Sequence, residues 1–258
     1  MFDLDGEPPA GIVQRAGKLL VLFVESPEPT LGVTEIAQTL KLSKAVVHRL
    51  LNSLADSGLV EVVESSRRYR LGPLALSLGL AYLKNFDLRD RARPVLERLC
   101  NLTGETATLS IQEKWHRVYI DQVNPANEIR MTVPIGRPFP LHAGSSSKAF
   151  LAFLSQEFQD EYLQSNKLES LTDLTITDEN KLRKELALIA QRGYAQSNGE
   201  REAGAVSVAA PVLDHRGEAI GVISICGPGE RFAAAWEDAV NYLLLATKEL
   251  SYDLGYRI

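Results

Sequence analysis

Between residues 34 and 72 the apolar positions change period twice, and each change predicts an element. Ile36, Ala37 and Leu40 form a short helical face. Ser43 then stands where a hydroxyl can accept the N–H groups that open a second helix. Val46, Val47, Leu50, Leu51 and Leu54 recur at three- and four-residue spacing, and Gly58 occupies the place of a left-handed helix cap. Two helices so close in sequence must cross steeply. Further on, Val60 and Val62 alternate with Glu61, a polar turn runs from Glu64 to Arg67, and Tyr69 and Leu71 alternate with Arg68 and Arg70. The pattern predicts a helix-turn-helix followed by a two-stranded wing.

At about 100° per residue, the face opposite the second helix's apolar stripe carries Ala45, His48, Arg49 and Asn52. Lys44 lies on its shoulder beside the capping Ser43. Such groups suit a major groove, because arginine forks onto guanine, asparagine onto adenine, and alanine admits a thymine methyl. On the wing, Arg67, Arg68 and Arg70 are candidates for backbone phosphates or a minor groove. The predicted partner is double-stranded DNA. Charge agrees: residues 41–72 hold six basic and three acidic side chains, a local net of +3, within a chain of net −5. The alternative use of the same elements is a winged-helix module for protein contacts.

Before this unit, residues 1–9 read as a disordered tail, and Ile12, Ala16, Leu19, Leu20 and Phe23 as a first helix ending before Pro27. Residues 10–73 therefore form the expected DNA-binding domain. Leu74, Leu76, Leu78 and Leu80 fall in an expected linker helix over 74–89, and residues 90–258 in a second domain. There TATLSIQ, RVYIDQV, IRMTV, AVSVAAPVLD and AIGVISIC read as strands, the last two as a hairpin about His215-Arg216-Gly217. SSSKAFLAFL, ENKLRKELALIAQRG and residues 230–253 read as helices. The fold class is α+β, a sheet with helices on one side.

Composition narrows the setting. A chain of 258 residues, 45% hydrophobic, supports two domains. Its two cysteines, Cys100 and Cys226, form no CxxC pair, which argues against a disulfide scaffold or a zinc ribbon and fits a reducing compartment. The opening MFDLDGEPPAG is no secretion signal, and LLVLFV falls far short of the ~20 apolar residues of a membrane span. A cytoplasmic protein with no membrane partner is expected.

Three segments carry a resemblance: LSKAVVHRLLNSLADSGLVE, PLHAGSSSKAFLAFL and RGYAQSNGEREAGAVSVAAPVLDHRGEAIGVISICGP. In their order and separation they resemble the IclR family of bacterial transcriptional regulators, from about Gly11 to the C-terminus. The resemblance implies a winged helix-turn-helix, a GAF-like effector-binding domain, and homodimers, often paired into homotetramers, on partly palindromic operators. It also implies an effector pocket of Ser145, Ser146, Ser197, Ser207, Ser224 and Cys226, with Ala205 as a wall. A small organic acid is the ligand class it implies. The residues add a physical reason, since Gly144 to Ser147 precede an apolar helix whose opening N–H groups suit a carboxylate. Ser224 and Cys226 share one strand face, and Ser207 shares one with Ala205 and Ala209. This chain departs from the family pattern in its run of serines after PLHA and in Ser207, where cysteine or threonine often sits.

Ser145 and Lys148 match S-x-x-K, the arrangement in which a lysine activates a serine for acyl transfer. Without K-T-G, S-D-N, G-x-S-x-G, H-E-x-x-H or a P-loop, the match points instead to Lys148 as a helix residue reaching solvent. No enzyme activity and no cofactor are expected. No metal site is expected either, although His142 and Cys226 could approach one another. His116 and His215 lie near hairpins, and a lone histidine is more often a hydrogen-bonded structural residue. Cys100 is expected to pack into the core.

Overall fold

The computed structural model describes residues 11–84 and 87–257, so the expected tail over residues 1–9 lies outside the described residues. The described residues divide into two compact units, one within 1–86 and one within 87–258.

In the first unit, α1 (Ile12–Glu25), α2 (Val33–Thr39) and α3 (Lys44–Asp56) precede a hairpin of β1 (Val60–Val63) and β2 (Arg68–Leu71) and a further helix, α4 (Pro73–Lys84). Leu19, Ile36, Ala37, Val47, Leu50, Leu51, Leu54, Val60 and Tyr69 make one core, so the stripe read from α3 is its buried face. Ser43 caps α3 by accepting the Val46 N–H at 3.3 Å, and Gly58 follows the helix at φ 81°. The turn between α2 and α3 is closed by Lys41 at φ 53°, and Leu31 pairs with Tyr69 to extend the hairpin by one bridge. In α4 the leucines stand out at spacing two, so a helix must place them on several sides. Leu76, Leu78 and Leu80 are 67%, 56% and 56% exposed.

The second unit is a six-stranded antiparallel sheet in the order β5-β4-β3-β8-β7-β6. Its strands are β3 (Thr106–Glu113), β4 (His116–Val123), β5 (Pro138–Pro140), β6 (Ala195–Asn198), β7 (Ala205–Leu213) and β8 (Ala219–Pro228). Helices pack on both faces, which corrects the one-sided arrangement expected from sequence. Leu109, Val208, Ala210, Ile223 and Ile225 fill the face toward α5 (Leu88–Thr103) and α10 (Trp236–Asp253), and Cys100 is buried in α5. The other face meets α6 (Ser145–Phe153), with α7 (Gln156–Ser165) and α8 (Glu179–Arg192) beyond it. A short α9 (Gly229–Ala234) precedes α10.

The segment IRMTV is not a strand. Its backbone polar groups are taken by side chains: Gln122 both accepts from and donates to Val133 at 3.0 and 2.9 Å, Thr106 donates to the Met131 carbonyl, and Arg231 to that of Ile129. No helix among the described residues is long and apolar enough to cross a membrane.

Candidate DNA interface and effector cavity

The cap at Ser43 starts α3 with its polar side outward, and Ser43, Lys44, Ala45, His48, Arg49 and Asn52 are all exposed. They form one face of three turns, with no ion pair at Lys44 or Arg49 among the described residues. On the wing Arg67 is exposed at the turn, at φ 54°. Arg70 is exposed and pairs with its cross-strand neighbour Glu61 at 2.5 Å.

Arg68 departs from its expected role at a phosphate. Its guanidinium forks onto Glu35 at 2.8 and 2.9 Å, and it also donates to the Thr30 hydroxyl and carbonyl at 2.9 and 2.8 Å. Four of its five N–H donors are taken, so Arg68 braces the wing against α2. This contact, with the Gly32 N–H, holds the Glu35 carboxyl below its usual range.

In the second unit, alternation sets the chemistry of the face toward α6. Ser197, Ser207, Cys226 and Thr106 form one cross-strand row, and Ala195, Ala209, Ser224 and Thr108 the next. These side chains are small and mostly polar, so they leave space beneath the helix. The space is a cavity of about 20 Å³, room for about one water. Gly144, Ser145, Ser146, Ser197, Ala205, Ser207, Ser224 and Cys226, every residue expected from sequence at an effector site, line it. Ser145 and Ser207 are joined at 2.7 Å, and Thr108 and Ser224 at 2.6 Å.

Sequence reasoning missed Arg117, Tyr119, Met131, Arg201 and Glu202, which line the same cavity. Period-2 spacing puts Arg117 and Tyr119 on one face of β4, but Val118 between them is buried too, so nothing local marks which face turns to the cavity. Burial pushes the Cys226 thiol up to about 12, so it lines the cavity as a neutral group.

Lys148 is not solvent-facing. It is 2% exposed and donates to Glu200 at 2.5 Å, with Glu185 at 3.6 Å, while Glu200 also accepts the Gly144 N–H at 3.2 Å. Its ammonium is thus turned to carboxylates and not to the Ser145 hydroxyl. His142 does not join Cys226. Its Nε2–H donates to the Glu169 carbonyl at 2.9 Å, which makes Nδ1 the acceptor for the Tyr162 hydroxyl at 3.0 Å. That hydroxyl in turn accepts the Leu141 N–H, and burial lowers the His142 pKa. Among the described residues no group of three or more His, Cys, Asp or Glu side chains could hold a metal.

A wider groove of about 1230 Å³ runs beside β6, walled by Glu185, Glu200, Glu230, Glu237 and Asp238 as well as Trp236. Its carboxylates disfavour an acid.

A winged helix with an exposed polar face on its second helix, in one chain with a sheet that keeps a small polar cavity, defines the DNA-binding class of protein. The chain matches "IclR helix-turn-helix domain" over residues 12–64 and "Bacterial transcriptional regulator IclR C-terminal" over residues 80–252, and it belongs to the IclR family of transcriptional regulators. It is 37% identical over 257 residues to the HTH-type transcriptional regulator BhcR of Paracoccus denitrificans, covering 98% of this chain and 91% of that protein. It is 33% identical to the transcriptional repressor IclR of Escherichia coli, covering 96% and 92%. Among solved structures, the Agobacterium tumefaciens repressor BlcR superposes with a TM-score of 0.78 at 27% identity, covering 98% and 100%. An IclR homologue from Microbacterium hydrocarbonoxydans, complexed with 4-hydroxybenzoate, superposes at 0.60 with 25% identity, covering 95% and 99%. The relatives are regulators and not enzymes, so the S-x-x-K match carries no acyl transfer.

Proposed function

We propose that this protein is a cytoplasmic, ligand-responsive regulator in which Ser43, Lys44, Ala45, His48, Arg49 and Asn52 read a partly palindromic operator. Arg67 and Arg70 approach the DNA backbone. The cavity under α6 takes a small organic acid as effector. The DNA-binding domain spans residues 10–73, the linker 74–89 and the effector domain 90–258. One observation carries the reading: α3 buries Val47, Leu50, Leu51 and Leu54 and leaves its opposite face polar and uncovered along its length. A helix needed only for packing has no use for Arg49 and Asn52 side by side on that face.

The working form is a homodimer or a homotetramer. Exposed Leu76, Leu78 and Leu80 on α4 support it, because a second copy would remove that apolar surface from water. A two-fold dimer then meets half-sites one helical turn, about 34 Å, or a multiple of it apart. The effector acts only through a difference in its affinity for the DNA-competent and DNA-incompetent arrangements. A mobility-shift titration against the DNA flanking the protein's own gene tests the reading. Retardation there at concentrations at least about tenfold below those for random duplex is expected. Equal affinity for both DNAs at every salt concentration refutes it.

A further inference from the structure

The charges buried around α6 fall into two sets. On one side they cancel, since Lys148 meets Glu200 and Glu185, and Glu185 also meets Arg192 at 3.0 Å. On the cavity side they do not. Arg117, which reaches the cavity from β4, is 1% exposed, and neither Arg117 nor Arg201 has an ion pair among the described residues. The Arg117 Nε–H donates to Ser147 at 2.9 Å, but its Nη1 has no hydrogen-bond partner. Glu202, at the rim, is exposed and pairs with neither arginine.

Both guanidiniums converge on the same two rings. The Arg117 guanidinium carbon lies 4.0 Å from the centre of Tyr119 and 5.1 Å from that of Phe139, and the Arg201 carbon 5.7 and 4.6 Å from the same centres. An arginine cannot shed its charge in a protein, so these cations repel each other across a space too small to be well hydrated. Burial above all, and less strongly the charge of Arg201, disfavours the protonated form of Arg117, while Tyr119 offsets part of that. A ring face eases one cation but supplies no lone pairs for the free N–H groups. Beside them α6 opens, and the Ser145, Ser146 and Ser147 N–H groups have no intrahelical acceptor. The site therefore has two arginines without an ion pair and a set of donors, and the carboxylate among its lining residues, Glu202, is exposed and pairs with neither.

We infer that the cavity takes a compact dicarboxylate, one carboxylate held by Arg117 with the opening N–H groups of α6 and the other by Arg201. These two arginines then determine the specificity of the site by fixing the ligand's charge at two. The inference rests on the effector reading above and names its ligand class. Compactness follows from the shared rings, which bring both guanidiniums within reach of one small molecule; the cavity, with room for about one water as it stands, has to widen to admit it. The hydroxyls of Ser207 and Ser224, now satisfied by Ser145 and Thr108, can rotate to donate to the ligand.

The test is a thermal-shift titration of the full chain at pH 7.5 and constant ionic strength. The probes are oxalate, malonate and succinate, their monoacid counterparts acetate, propionate and butyrate, and neutral malonamide. At least one diacid is expected to stabilise the protein saturably and to bind about tenfold or more tightly than its monoacid. Arg117→Met is expected to weaken that diacid about 100-fold, and Arg117→Lys less. Arg201→Gln, a change on a part-exposed loop, is expected to bring diacid affinity down to that of the monoacid. Circular dichroism reports whether each variant is folded. A monoacid or malonamide binding as tightly as the diacid overturns the inference, as does a diacid response that survives in folded Arg117→Met and Arg201→Gln, or no response to any diacid. The effector reading fails separately. It falls if a panel that adds aromatic and sugar acids yields no ligand that alters operator affinity, whereas a monoacid that releases the operator keeps that reading and sinks the diacid.

Discussion

Replacing Arg117 with methionine is expected to make the unliganded protein more stable, although the side chain is among the most deeply buried in the second unit. The substitution removes the hydrogen bond from Nε to Ser147, worth about 1 kcal/mol, and the stacking on Tyr119, worth about another. Against these stand the unsatisfied Nη1, which costs about 1–3 kcal/mol, and the desolvation of a cation with no counter-ion, which costs several. A methionine follows the arginine's aliphatic stem and fills irregular space with polarisable atoms. The balance favours the variant by about 1–3 kcal/mol. Urea denaturation in buffer free of polyvalent acids measures it. The two tryptophans, Trp115 and Trp236, both lie in the second unit, so their fluorescence follows that unit alone. A loss of more than about 1 kcal/mol without ligand refutes the reasoning, because it requires the cation to be compensated inside the protein.

Other consequences follow from the remaining sites. Arg49→Ala should cost about 1–3 kcal/mol on the operator and distinctly less on random DNA; equal losses in paired mobility-shift titrations refute its role in base readout. Glu35→Gln should release the Arg68 fork and steepen the salt dependence of non-specific binding by about one unit of log–log slope, and an unchanged slope in a salt series shows that Arg68 stays away from phosphate. His142 has its pKa lowered by burial in the folded state, so the unfolded chain takes up the proton first. Its contribution is whole above about pH 6.5 and is lost as the pH falls from there toward the folded-state value. Urea midpoints of the second unit at pH 7.5 and 5.5 should therefore diverge more in the wild type than in His142→Gln, and equal divergence refutes the role.

The exposed polar face of α3 was legible because everything that fixes it is local. A 3.6-residue stripe, a serine cap and a closing glycine lie within sixteen residues, and the exposed face is the complement of the stripe. Arg68 shows the limit of such reasoning. Its alternation with Tyr69 was visible, but its partners Thr30 and Glu35 lie more than thirty residues away, and only folding brings them together. The cavity residues divide in the same way. The serines of α6 and the late strands carried a recognisable motif, whereas Arg117 sat in a strand whose inward face could not be known before its neighbours were. IRMTV misled for a related reason, because β-branched alternation describes a chain that can pair, and here Gln122 and Thr106 take the backbone groups that a strand would have used.

The two faces of the sheet explain why the cavity can exist at a tolerable cost. Leu109, Val208, Ala210, Ile223 and Ile225 are fully buried between the sheet and α5 and α10, where non-directional apolar burial does the stabilising. The face toward α6 gives up much of that contribution. It buries Thr106, Thr108, Ser224 and Arg117, which only hydrogen bonds or a counter-charge can offset. Where the hydroxyls meet one another the offset is internal, as between Thr108 and Ser224. Where the Arg117 Nη1 meets no acceptor, the offset is left to whatever enters. A stability deficit confined to one cavity is also the difference a ligand needs, since a molecule that answers those charges in one arrangement and not in another shifts the balance between them.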